Sequence, residues 1–259
     1  MKKLIAMLLA LTMVLALAAC GETPNAPETT TEAPAGETTE ATSGETAEAT
    51  SGEEAPAVMT YAEYEAAAID DAVTVECYVQ ATQSWWEDKI TVYAQDADGA
   101  YFIYELKCSE EDAAKLTEGT KIRVSGFKGE WSGEIEIMDG TFEFVEGADT
   151  FVAEPLDVTE LLGTDELIKH QNKKAAFKGL TIKKIEYKNG EPGDDIYVTV
   201  AKGENEYSFC VERYLTDPET DVYKAFADLK EGDVVDMEGF LYWYEGVNTH
   251  ITAVSKAAA

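Results

Sequence analysis

Cys77, Cys108 and Cys210 carry the most reactive side chains beyond the first twenty residues, and three thiols admit one disulfide with one left over. A Cys77–Cys108 bridge fits, and so does a pair of free thiols buried beside strands, while Cys210 has no evident partner. Asp96-x-Asp98-Gly99 with Glu105 copies part of a calcium-binding helix-loop-helix. The first ligand position falls on Ala94, which cannot ligate, and a polar hairpin turn accounts for the same residues. His170 and His250 are far apart and belong to no spaced ligand cluster. Nothing matches a nucleophile elbow or a phosphate loop. The 42 acids of residues 61–259 make acidic pairs a matter of composition. These residues predict a non-enzymatic chain with no cofactor and no metal.

Aromatic side chains offer a different chemistry, the stacking of planar rings on sugars or bases. The candidates are Tyr78, Trp85, Trp86, Tyr93, Tyr101 and Trp131. Tyr78 and Tyr93 lie on the phase opposite Val75, Val79, Ile90 and Val92, so they should point outward and sit close together on paired strands. Trp85-Trp86 falls in a loop, Tyr101 and Tyr104 on the next strand, and Trp131 in a turn. The structural alternative is that small barrels need large residues to close their ends and that Tyr favours strands. Tyr242-Trp243-Tyr244 occupies a comparable turn further on.

The elements that must position these rings read as two copies of one unit. Leu116-Thr117-Glu118-Gly119 aligns with Leu229-Lys230-Glu231-Gly232, followed at equal spacing by Gly126-Phe127 and Gly239-Phe240, then Gly133 and Gly246. Val73, Val75, Cys77 and Val79 alternate with polar residues, the period of a half-buried strand. Ile90-Val92-Ala94 predicts a second strand, turned by Asp98-Gly99 into a third at Tyr101 to Leu106. Ser109 caps a helix ending near Leu116, and Ile122-Val124 and Ile135-Ile137 predict strands four and five. The second unit repeats the order over Phe177 to Val254. Helices over Tyr61 to Ala68 and Val158 to His170 precede the two units.

The fold class is therefore mostly β: two tandem five-stranded Greek-key barrels, each with a helix between strands three and four and a preceding helix. The run from Gln95 to Tyr104, then Leu116-x-x-Gly119-x-Lys121-Ile122-x-Val124-x-Gly126, resembles the OB-fold domains of bacterial secreted proteins. Similar modules accompany extracellular nucleases and also occur alone in surface lipoproteins. The resemblance covers residues 73–146 well and 173–254 more weakly, and it implies a fold rather than a chemistry. OB barrels bind ligands on the face of strands two and three and in the loops beside it.

Met1-Lys2-Lys3, an apolar run from Leu4 to Leu17 and the ending Leu17-Ala18-Ala19-Cys20 have the layout of a signal peptide. That ending resembles the lipobox of bacterial lipoproteins, which implies cleavage before Cys20 and acylation of its thiol. Residues 21–56 hold nine Thr and nine Glu, no base and nothing large and apolar, so the sequence predicts a disordered tether. The expected organisation is a leader at 1–19, a tether at 20–57, a first OB domain at 58–148 and a second at 156–256. The expected location is the extracytoplasmic face of a membrane, with the lipid bilayer as the partner of Cys20.

Charge bears on the remaining partners. The whole chain carries −31, with −15 in residues 61–150 and −9 in residues 151–259. Backbone-binding grooves are basic, so this balance argues against nucleic acid. One stretch departs from it: Lys169 to Lys188 holds seven Lys and one Glu. It reads either as a solvated strand face or as a surface for an anionic polymer, a lipid surface or the acidic first unit. The leading expectation is a binding module for a saccharide, peptide or protein. The alternative is a nucleic-acid accessory protein like the nuclease-linked modules.

Overall fold

A computed structural model describes residues 57–257. The alternating valines of the first unit form β1 (Ala72–Thr82), followed by β2 (Lys89–Gln95) and β3 (Ala100–Lys107). A four-residue α2 (Glu110–Ala113), capped by the Ser109 side chain, leads to β4 (Lys121–Trp131) and β5 (Glu134–Phe144). The strands close a barrel in the order β1-β2-β3-β5-β4, with β3 and β5 parallel and the other neighbours antiparallel. This is the strand order of an OB-like barrel. Val73, Val75, Cys77 and Val79 point inward with Val92, Ile103, Ile122, Val124 and Ile137. Gly126, on β4, is required where the sheet folds over: a Cβ there would stand 2.7 Å from the Met138 carbonyl oxygen.

One end of the barrel is stopped by α1 (Tyr61–Ala66). Thr60 and Glu63 form a reciprocal cap at its start. Tyr64 enters the core and meets the Tyr101 ring edge-on at 5.0 Å. At the other end of the helix the Lys128 ammonium donates to the carbonyls of Tyr64, Glu65 and Ala67 at 2.8–3.0 Å. These are the orphan acceptors of a helix C-terminus, and the cation also complements the dipole. Lys128→Met keeps the apolar stem and deletes the donor, so about 1–3 kcal/mol of stability should be lost. Urea unfolding checks this, and a midpoint unchanged from wild type would mean that water replaces the ammonium at no cost.

The second half begins with β6 (Leu156–Asp157), paired in parallel to β7 (Lys174–Tyr187). Then come β8 (Ile196–Lys202), β9 (Asn205–Val211), α3 (Asp221–Ala225), β10 (Val234–Phe240) and β11 (His250–Lys256). Their order is β10-β11-β9-β8-β7-β6, with a further pairing of β10 to β7. Phe177, Phe209, Phe226, Leu180 and Ile182 fill its core.

Two expected helices are corrected here, and several readings left open are decided. Val158 to His170 is not a helix but two short 3-10 turns, Thr159–Leu161 and Leu167–His170. Gly163 stands between them at φ +82°, outside helical geometry. The helix after Ser109 stops at Ala113 rather than near Leu116. Cys77, Cys108 and Cys210 are all free and buried, and burial pushes their thiols up, Cys108 to about 11. Asp96 is the hub of a turn: its carboxylate accepts from the amides of Asp98 and Gly99 and from the Tyr101 hydroxyl. In the basic stretch Lys169, Lys174, Lys178, Lys184 and Lys188 each meet an acid, so most of its charge is neutralised locally. Cys20, the leader and the tether lie outside the described residues, among which no helix is long and apolar enough to cross a membrane.

Candidate functional site

The outward face of β2 and β3 carries Thr91, Tyr93, Phe102 and Tyr104, by the period-two alternation that sends Val92 and Ile103 inside. Half of that face is not open to solvent. Tyr93 stacks on Phe240 at 4.6 Å and 25°, and Phe102 meets Tyr242 at 5.1 Å. The Tyr93 hydroxyl accepts from Gln83 Nε2 at 3.2 Å and lies 2.5 Å from His250 Nδ1. Burial pushes His250 down to about 3, so the ring is neutral and one proton is shared between the hydroxyl and Nδ1. The second half thus covers the face on which this kind of barrel binds ligands.

Polar contacts lock the cover in place. Gln171 and Asn172 donate to the carbonyls of Gly133 and Ile135, the Lys174 amide to Gln95 Oε1, and the Glu245 amide to the Ser132 carbonyl. Glu134 is fully buried here, its Oε2 accepting from the Trp243 amide at 2.7 Å and from Gln171 at 3.1 Å. Its Oε1 has no partner, and no cation pairs with it among the described residues. Burial pushes the Glu134 carboxyl up to about 9 and that of Glu136 up to about 7.

Beyond the cover the β2–β3 face continues into an open groove of about 560 Å³. Its floor is Thr91, Ile90 and Tyr104, and one wall is the hairpin that joins β1 to β2. Trp86 and Lys89 exchange both backbone hydrogen bonds, at 2.9 and 3.0 Å. Glu87 and Asp88 between them both have positive φ, the conformation of a tight two-residue turn. The tip therefore holds Trp86 away from the barrel with 71% of its surface exposed. The opposite wall comes from the segment after β9, where Arg213 and Tyr214 are exposed. Ser84 staples the two walls, its amide donating to the Tyr214 carbonyl at 2.7 Å and its hydroxyl at 3.2 Å. The groove is thus composite, with rings from both halves: Trp86, Tyr104 and Tyr214.

Its charge is balanced. Lys89 pairs with Glu105 at 2.5 Å. The Arg213 guanidinium stands 5.5 Å from the Tyr214 ring and makes no ion pair among the described residues. With Glu87, the lining holds two acids and two bases.

The sequence-based candidates are scattered. Trp86 lines the groove. Trp85 packs on the core and donates its indole N–H to the Cys108 carbonyl at 2.8 Å. Tyr93 does lie on the outer phase, but at 1% exposure it is sealed beneath Phe240. Tyr101 points into the barrel and is equally buried, because the inward phase of β3 runs through it and Ile103. Tyr78 is half-buried against Phe151, at 5.4 Å, and does not face Tyr93, whose register partner is Ala81. Trp131 is exposed at the end of β4, outside the groove. Lys89, Tyr104, Arg213 and Tyr214 complete the site without having been among the candidates. The adjacent aromatic and basic pair Arg213-Tyr214 was the one signal available for the far wall.

No family model and no curated protein matches the chain. Solved structures do match. A murine DNA-binding protein bound with double-stranded DNA is 14% identical, over 72% of this chain and 97% of that one, with a TM-score of 0.35. The Ifi202 HINa domain in complex with 20-base-pair duplex DNA is 13% identical, over 73% of this chain and 100% of that one, at 0.33. A replication protein A heterotrimer bound to single-stranded DNA is 13% identical, over 75% of this chain and 51% of that one, at 0.32. Scores this low carry no functional argument by themselves. All three were solved with DNA, and the expectation of a saccharide, peptide or protein ligand with nucleic acid disfavoured is corrected on the groove's own charge. The physical reason is local: the net charge of −31 counts every residue, whereas the groove lining sums to zero.

Proposed function

We propose that the chain is a nucleic-acid-binding accessory module that stacks the bases of a single strand in the composite groove. The observation that carries this reading is Trp86, held almost bare on a strained hairpin tip in a groove shared with Tyr104 and Tyr214. An exposed large ring at a fixed backbone position is what base stacking needs, and Arg213 adds the one guanidinium in the groove. The module acts by binding rather than catalysis. We further infer that the β10–β7 pairing makes the second half another OB-type barrel, so that residues 58–148 and 156–256 are tandem copies. Acylation of Cys20 would hold both at an extracytoplasmic membrane face, a reading supported by the Leu17-Ala18-Ala19-Cys20 ending alone.

The test is fluorescence anisotropy of the full chain with a labelled ten-nucleotide thymidine strand. Trp86→Ala should weaken binding roughly 5- to 150-fold, the 1–3 kcal/mol of a stacked base, with circular dichroism unchanged. Wild-type protein that does not bind the strand, or a variant that binds it equally well, would overturn the proposal.

A further inference from the structure

We infer, resting on that reading, that the groove accepts a nucleotide bearing a terminal phosphomonoester rather than the interior of a strand. Two independent features of the site lead there. The first is length. A strand crossing an OB barrel occupies about 4–16 nucleotides. Here the path along the β2–β3 face ends where Phe240 and Tyr242 sit on Tyr93 and Phe102. What is left is about 560 Å³, the size of a pocket for one small molecule.

The second feature is charge placement. An internal stretch brings one phosphate per nucleotide, and each needs a cation or open solvent. In the groove Lys89 is already paired with Glu105, which leaves Arg213. Glu87 and the neighbouring Asp88 are exposed on the hairpin tip, so a backbone continuing past Trp86 meets carboxylates. A terminal phosphomonoester inverts the balance. It concentrates up to two charges and three acceptor oxygens on one group, which a planar guanidinium can take through two parallel N–H donors. The base then stacks on Trp86 and the phosphate meets Arg213 on the opposite wall.

The experiment compares four ligands on the full chain: the ten-nucleotide thymidine strand without phosphate, the same strand phosphorylated at its 5′ end, the same at its 3′ end, and thymidine 5′-monophosphate. At least one phosphorylated strand should bind about tenfold more tightly than the plain one. Arg213→Gln should abolish that gain, weakening the phosphorylated strand by about tenfold more than the plain one. The dependence on salt should have a slope of about −0.7, one phosphate contact, and Arg213→Gln should flatten it. Monophosphate that binds as tightly as the phosphorylated strand identifies the nucleotide itself as the whole ligand. Weaker monophosphate binding identifies a strand end. Equal affinity for plain and phosphorylated strands, both lost in Trp86→Ala, would overturn this inference and leave the stacking groove intact. Failure of all four ligands to bind removes the groove reading as well.

Discussion

Replacing Phe240 with alanine should cost about 3–5 kcal/mol, the largest effect of any single change considered for this chain. The ring is almost wholly buried and stacks on Tyr93 across the two halves. Removing it leaves a void bounded by Tyr93, Phe102 and Tyr242, which their neighbours hold too firmly to collapse. The strand below cannot shift either, because Gly239 already packs its backbone against the His250 carbonyl. Chemical unfolding measures the loss. The groove should suffer with it: Tyr214 and Trp86 stay opposed only while the halves are docked, so oligonucleotide affinity should fall although neither residue is altered. Full stability in Phe240→Ala would mean that the halves are held by their polar contacts alone.

Glu134→Gln should act in the opposite direction, and only at higher pH. The folded protein holds the Glu134 proton up to about pH 9, the unfolded chain only to about 4.5. Folded protein therefore binds the proton more tightly, and the advantage, complete below about pH 4.5, drains away as pH rises toward 9. The groups facing this carboxyl are the Trp243 amide, the side chains of Asn172 and Gln171, Glu136 on its own strand and the rings of Tyr64 and Tyr242, none of them a cation. Gln removes the titration. At pH 8.5 the variant should melt several degrees above wild type, and at pH 5 the two should nearly coincide. Melting curves at the two pH values decide it. A gain of equal size at both would show that the benefit is packing and not charge.

What could be read from the sequence was set by short-range periodicity. Val73 to Val79 announced β1, and the alternation around Tyr93 correctly put it on the outer phase of β2. A single strand's period says which way a side chain points, but not what will lie upon it. Phe240 and His250, which seal Tyr93, are about 150 residues away. The same gap hid the far wall of the groove, since Ser84 and the Tyr214 carbonyl meet across 130 residues. Charge stayed open for a related reason: the partners of the lysine run from Lys169 include Glu118 and Asp157, which the run itself does not contain. The apolar spacing of Val158, Leu161, Leu162 and Leu167 imitated a helix, and Gly163 at positive φ broke it.

The covering of one half by the other also bears on how the chain is made. A ribosome delivers β1 to β5 first, and roughly 110 residues separate Phe144 from the end of β11 at Lys256. At roughly 5–20 residues per second that is a wait of about 5–20 s. Throughout it Tyr93 and Phe102 face water on a barrel that is otherwise closed, an apolar patch of the kind that invites association between nascent chains. The newborn first half should therefore be a chaperone client until Phe240 and Tyr242 arrive, and chains truncated before β10 should be recovered mainly as aggregates.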